Sequence, residues 1–170
     1  SSSTSTKPNQ ILCWDLNPES GVGRLPGHEG TPVVRVSPLG DRLVTGDRTG
    51  PLLLWDCATL EVTPDLGRRA APVRGLSWAN DAKRLAVGLT NGTIDVLDLE
   101  QGETIRLEGL HASAAETIAM SPDGRFVAHA RPGGGSRLCD LEQGNSIDIE
   151  GASYQTICLV FNPEGSRFAT

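Results

Sequence analysis

Aromatic side chains are scarce in this sequence. Three Trp, one Tyr and three Phe make up 4% of 170 residues, so no core can be built on stacked rings, and Leu, Val and Ile must supply most of the apolar area. Lysine is nearly missing, with Lys7 and Lys83 beside thirteen arginines. The formal net charge of −6 excludes the broad positive field that a general grip on nucleic acid requires. No window reaches the eighteen or so apolar residues of a membrane span, and the opening SSSTSTKP lacks the apolar centre of a signal peptide. Cys13, Cys57, Cys139 and Cys158 show no CxxC spacing and lie mostly inside apolar runs, where a free thiol acts as a small hydrophobe. A reducing, cytoplasmic setting is the expectation.

Signals of catalysis are equally thin. His28, His111 and His129 form no i, i+2 or i, i+4 pair, so no metal site is expected. No G-x-S-x-G elbow or Cys-His signature occurs, and Asp56 next to Cys57 disfavours a thiolate there. The glycine run PGGGS at 132–136 lacks the Lys and the helix that follow a phosphate-binding loop, so it reads as a turn. No segment sustains a helical period, and LHASAAETIAM at 110–120 is expected to be a loop leading into a strand. Neither cofactor nor enzyme activity is indicated.

What the chain does have is a repeat. Asp15, Asp56, Asp98 and Asp140 fall 41, 42 and 42 residues apart, closing the runs ILCWD, LLLWD, DVLD and RLCD. A second block keeps the same phase: SPLGDRLVTG from Ser37, ANDAKRLAVG from Ala79, SPDGRFVAHA from Ser121 and, slipped by one residue, NPEGSRFAT from Asn162. A period near forty marks a β unit that cannot bury its apolar face alone and must stack on its neighbours. Within a unit, four β-prone runs alternate with turn signals, as in an antiparallel meander. In the second unit the runs are 72–78, 84–88, 93–97 and 103–107. The repeated Asp opens the last turn, where a carboxylate can accept backbone N–H groups two residues on and so fix the register. TNGT at 90–93 predicts a tight hairpin.

Trp14-Asp15 and Trp55-Asp56, in phase with Gly27-His28, SPDG at 121–124 and NGTI at 91–94, resemble the tryptophan-aspartate (WD) repeat β-propeller family over nearly the whole chain. The resemblance implies an all-β propeller of four-stranded antiparallel blades: a half blade at 1–31, blades at 32–64, 72–107 and 115–150, and a half blade at 156–170. Outer strands are expected to begin near Val22, Leu60, Glu103 and Ser146, and inner strands near Val33, Val73, Thr117 and Ile157. The two halves could join into a four-bladed ring, two chains could associate, or the chain could be a piece of a longer propeller. The missing initial Met and the ending within RFAT favour the last.

In the family a His, a strand Ser or Thr, a hairpin Asp and the Trp form one hydrogen-bond network. His28, Thr45 and Trp55 match three of those positions. The expected position of the hairpin acid holds Thr49, and Asn91 in the next unit, and the repeated Asp56 completes the structural set. Later units degenerate, with Leu97 and Cys139 in place of Trp.

Lys7, Arg48, Arg68, Arg69 and Arg131 would lie on or near the rim built from hairpins and inter-blade connections, unless acids such as Asp65 or Glu29 neutralise them. That rim suggests a non-catalytic interaction scaffold binding a protein that is acidic or phosphorylated at the contact, without nucleic acid or membrane. One alternative is a propeller enzyme with an axial site, for which the first strands offer only Arg35, Arg74 and Glu116. Another is a purely structural blade array in a larger assembly.

Overall fold

A computed structural model describes residues 11–14, 22–63, 66–108, 116–131, 133–151 and 156–170. Regular structure among the described residues is entirely strand. β1 (Ile11–Trp14) pairs antiparallel with β2 (Val22–Leu25) as a leading half sheet. The first complete unit contains β3 (Val33–Val36), β4 (Arg42–Gly46) and β5 (Leu52–Asp56). The second is β6 (Val73–Trp78), β7 (Arg84–Leu89), β8 (Ile94–Asp98) and β9 (Thr104–Leu107). The third is β10 (Ile118–Met120), β11 (Phe126–Ala130), β12 (Ser136–Asp140) and β13 (Asn145–Ile149). β14 (Val160–Phe161) and β15 (Phe168–Ala169) form a trailing pair. Strand order follows chain order in every sheet, and the leading and trailing pairs lie in separate sheets.

The repeated sequence blocks produce repeated geometry. Ser37, Ala79, Ser121 and Asn162 each donate a backbone N–H to the carbonyl five residues on, and each accepts one from the third residue after it. Asp56, Asp98 and Asp140 each accept N–H groups from the second and third residues beyond, at 2.8 to 3.1 Å. That arrangement closes the turn from third to fourth strand in every complete unit.

Alternation along each strand sends one set of side chains to the sheet before and the other to the sheet after. Leu43 and Trp55 pack back with Leu25, while Val44, Leu52 and Leu54 pack forward onto Leu85, Val87, Leu89 and Leu97. Ala86, Ile94 and Val96 then pack forward onto Met120 and Val127, and Ala119 and Ala128 onto Leu159. Both faces of a middle blade are therefore apolar, which is why LLLWD reads as a continuous run. Each fully buried Leu contributes about 2 to 3 kcal/mol of burial.

Three expectations need correction. First, the outer strand expected near Leu60 is reduced to two isolated bridges, Trp55 to Val62 and Pro51 to Arg68. Between those bridges the outer chain takes six steps against four on β5. The mismatch interrupts the ladder, so among the described residues the first unit has three regular strands. Second, the last inner strand begins at Val160 rather than Ile157, and Ile157 is exposed. Third, at the TNGT hairpin the positive φ falls on Gly92 and not on Asn91. Asn91 instead accepts the Thr93 N–H, in a turn longer than two residues. The 110–120 segment delivers its strand at Ile118, while 109–115 lies outside the described residues.

Candidate interaction surface

The first complete blade carries a buried polar chain of contacts. Trp55 Nε1 donates to Thr45 Oγ1 at 2.9 Å, and His28 Nε2 lies 2.6 Å from the same oxygen. His28 Nδ1 stands 3.4 Å from Asp47 Oδ2, in ion-pair range but off hydrogen-bond alignment. One arrangement fits these distances: the hydroxyl proton of Thr45 points at Nε2, and the imidazole proton on Nδ1 faces the carboxylate without a hydrogen bond to it.

The acid of this network is therefore Asp47, and position 49 is its servant. Thr49 donates its N–H and its hydroxyl to Asp47 Oδ1, each at 2.7 Å. Glu29 and Gly30 donate their N–H groups to Oδ2 at 3.0 and 3.1 Å. Burial alone would raise the pKa of this carboxyl, but these donors outweigh it and hold it at about 2. The signal was in the sequence: Asp47 is two residues beyond Thr45 and one past the end of β4, so continued alternation puts it on the same face. Asp56 does not join the network, since its oxygens go to the Ala58 and Thr59 N–H groups.

Asp47 also binds forward, because its carbonyl accepts the Val73 N–H at 2.9 Å. One residue thus ties the preceding connection and its own hairpin to the inner strand of the next blade. Directly above it, Arg48 is exposed, and it has no ion-pair or hydrogen-bond partner among the described residues. A methyl on Gly30 would stand 3.1 Å from Arg48 Cβ, so the arginine sits over the clamped loop. Arg68 is exposed too, with Nη1 donating to the Thr49 carbonyl.

The other rim candidates are differently placed. Arg69 turns inward, with Nη1 3.6 Å from Asp95 Oδ2 and Nη2 donating to the Leu66 carbonyl. Asp95 is fully buried and is gripped across the strands by Arg106 at 2.8 and 3.3 Å. Arg131 lies 3.4 Å from Asp148, which also holds Arg137. Arg137 and Asp148 are one repeat beyond Asp95 and Arg106, so the same cross-strand pair recurs with its charges exchanged. Lys7 and Asp65 lie outside the described residues. Of the first-strand ionisable groups, Arg74 sits at a register shift in β6 and pairs with Glu116 at 2.9 Å. Arg35 donates to the Val34 carbonyl.

Antiparallel sheets of up to four strands, stacked so that inner strands β3, β6, β10 and β14 are neighbours, define a β-propeller. Residues 54–113 match the family model described as the anaphase-promoting complex subunit 4 WD40 domain. The chain is 31% identical over 124 residues to WD repeat-containing protein SL1-17 of Schistosoma mansoni, across 70% of this chain and 40% of that protein. The β-propeller domain of Cps50 (Swd1) from Myceliophteria thermophila has the same fold, with a TM-score of 0.65 over 79% of this chain and 46% of that one, at 19% identity. The chain has the β-propeller fold, and its sequence is similar to WD-repeat proteins. It spans less than half the length of these two relatives.

Proposed function

We propose that this propeller segment is a non-catalytic interaction module whose hairpin rim, at Arg48 and Arg68, receives an acidic or phosphorylated segment of a partner protein. The observation that carries this reading is the pairing of two exposed guanidinium groups with a clamped hairpin. Asp47, Thr49, Glu29 and Gly30 lock the loop from beneath, so little backbone freedom is lost on binding. Among the described residues Arg48 has no internal partner to release, and Arg68 commits one of its donors to backbone, so both retain the fork geometry that suits carboxylate and phosphate. Arg69 and Arg131, already paired to Asp95 and Asp148, support the patch without being its contact groups.

The test is binding of a labelled peptide carrying phosphoserine among Asp and Glu residues, compared with its unphosphorylated and its Lys-substituted forms. Arg48→Glu with Arg68→Glu should weaken the phosphorylated peptide by at least about tenfold, and added salt should weaken the native interaction. Equal binding by native and doubly substituted protein would sink this reading in favour of a purely structural blade array.

A further inference from the structure

The interfaces on either side of the first complete blade differ at two positions of the same repeat phase. On its leading side Trp55 and Leu60 fill the contact, packing with Leu25 and Ile11. Leu60 reaches so far into the neighbouring sheet that a methyl on Gly23 would fall 2.1 Å from its Cδ1. One repeat later those two positions are Leu97 and Gly102. The turn itself is unchanged: Leu60 donates its N–H to the Asp56 carbonyl and Gly102 to that of Asp98, both at 2.9 Å, and both residues have positive φ, 58° and 71°. Only the side-chain volume is gone. A Cβ built on Gly102 meets nothing within 4 Å.

A cleft of about 550 Å³ occupies that space, walled by Leu54 and Leu66 from the first blade and by Leu97 and Leu99 from the second. Thr63 and Leu66, on the outer edge of the first blade, form part of its flank. Around the cleft stand Asp41, Asp56, Asp98 and Glu103. Arg42 engages Asp41 at 3.4 Å, Arg84 engages Asp98 at 3.6 Å and Arg69 is held by the buried Asp95 at 3.6 Å, so among the described residues Asp56 and Glu103 are the carboxylates at the cleft without a cation. Hydrogen bonds from the Ser37 hydroxyl, the Thr59 N–H and the Gln101 N–H respectively hold Asp41, Asp56 and Asp98 below the ordinary carboxylate range, so these acids are ionised at neutral pH.

We infer that this cleft is a docking site for a peptide segment of a partner protein that inserts one aromatic or leucine-sized side chain, flanked by arginines or lysines. The anchor is defined by the molecule itself, because the equivalent space one interface earlier holds an indole and an isobutyl group. The flanking charge is defined by the excess of carboxylates around the opening. This site is opposite in sign to the Arg48 and Arg68 patch, so a segment suited to one is repelled by the other.

The probe is a dye-labelled peptide with one tryptophan between two pairs of arginines, followed by fluorescence anisotropy on the full chain. Replacing its tryptophan with alanine, or its arginines with glutamates, should each weaken binding by about tenfold or more. Filling the cleft with Leu97→Trp and Gly102→Leu should do the same, while Glu103→Gln with Asp41→Asn should weaken binding about three- to tenfold and flatten its salt dependence. Gly102→Leu alone provides the same test if the double variant does not fold, since Leu60 already tolerates that backbone geometry. Arg48→Glu with Arg68→Glu should leave this peptide bound, which separates the cleft from the rim. Native-like binding by the filled protein, equal binding of the alanine peptide, or no binding up to about 1 mM would overturn the inference.

Discussion

Trp55 and Leu97 occupy the same place in successive blades, and both face the sheet that precedes them. Around Trp55 the neighbouring positions are polar, Thr45 and Asp47. Around Leu97 the equivalents are Val87 and Leu89, both fully buried. The degenerate blade has therefore not lost one member of a network; it has replaced the described strand members together. That distinction matters because a complete polar network and an apolar core are both stable, whereas a half-satisfied network leaves buried groups unpaired.

Reinstating a single polar member in the second blade should therefore be costly. Leu89→Asp places a carboxylate in an apolar contact with no hydroxyl at position 87 and no indole at 97, and should destabilise by about 3 to 5 kcal/mol. Urea unfolding at neutral pH measures it. A loss under about 1 kcal/mol would show that the site is already solvated.

Asp47 and Thr49 give a second contrast. Asp47→Ala removes the acceptor of four donors and should cost about 3 kcal/mol. Thr49→Ala keeps the backbone donor and should cost about 1 kcal/mol. Equal effects in denaturant titrations would place the organising role elsewhere.

Acid titration should show two regimes. Burial holds the pKa of His129 below the usual 6.5, so the unfolded chain takes up this proton first, and stability present above about 6.5 declines as pH falls below it. His129→Gln should flatten that part of the curve. The pKa of Asp47 is lowered from 3.8 to about 2, so its contribution, up to about 2 kcal/mol, is intact above pH 3.8 and disappears as pH falls toward 2. Asp47→Asn should remove that share of the acid slope, as read from denaturant midpoints at each pH.

Leu60 combines a strained backbone with a packed side chain. Leu60→Ala keeps the left-handed φ and loses the packing, which should cost about 2 kcal/mol. Leu60→Gly also relieves about 1 kcal/mol of strain and should be the milder of the two. Thermal melts that rank them in the opposite order would contradict the geometry.

The repeat was legible because its phase is written twice, in the Asp that closes one turn and in the S/N-P-x-G block of another, and each described copy makes the same hydrogen bonds. The outer strand of the first blade was not legible. Six residue steps from Val62 to Arg68 stand against four from Pro51 to Trp55, and a pattern of apolar positions does not report such a mismatch within a short edge run. The hairpin acid was misplaced for a different reason. Attention to turn position put it at residue 49, where strand alternation from Thr45 selects 47. The fate of the arginines was beyond reach, since Arg69 finds Asp95 across a connection that no spacing rule specifies.

Among the described residues the second complete blade alone lies between sheets of three or more strands, β3 to β5 before it and β10 to β13 after it. Amide protons of β7 and β8 should consequently be the last to trade with deuterium, and those of β1, β2, β14 and β15 the first. The molecule is then expected to lose its order from both extremities toward the middle, like a stack of cards shed from top and bottom, and a protease would trim it in that sequence.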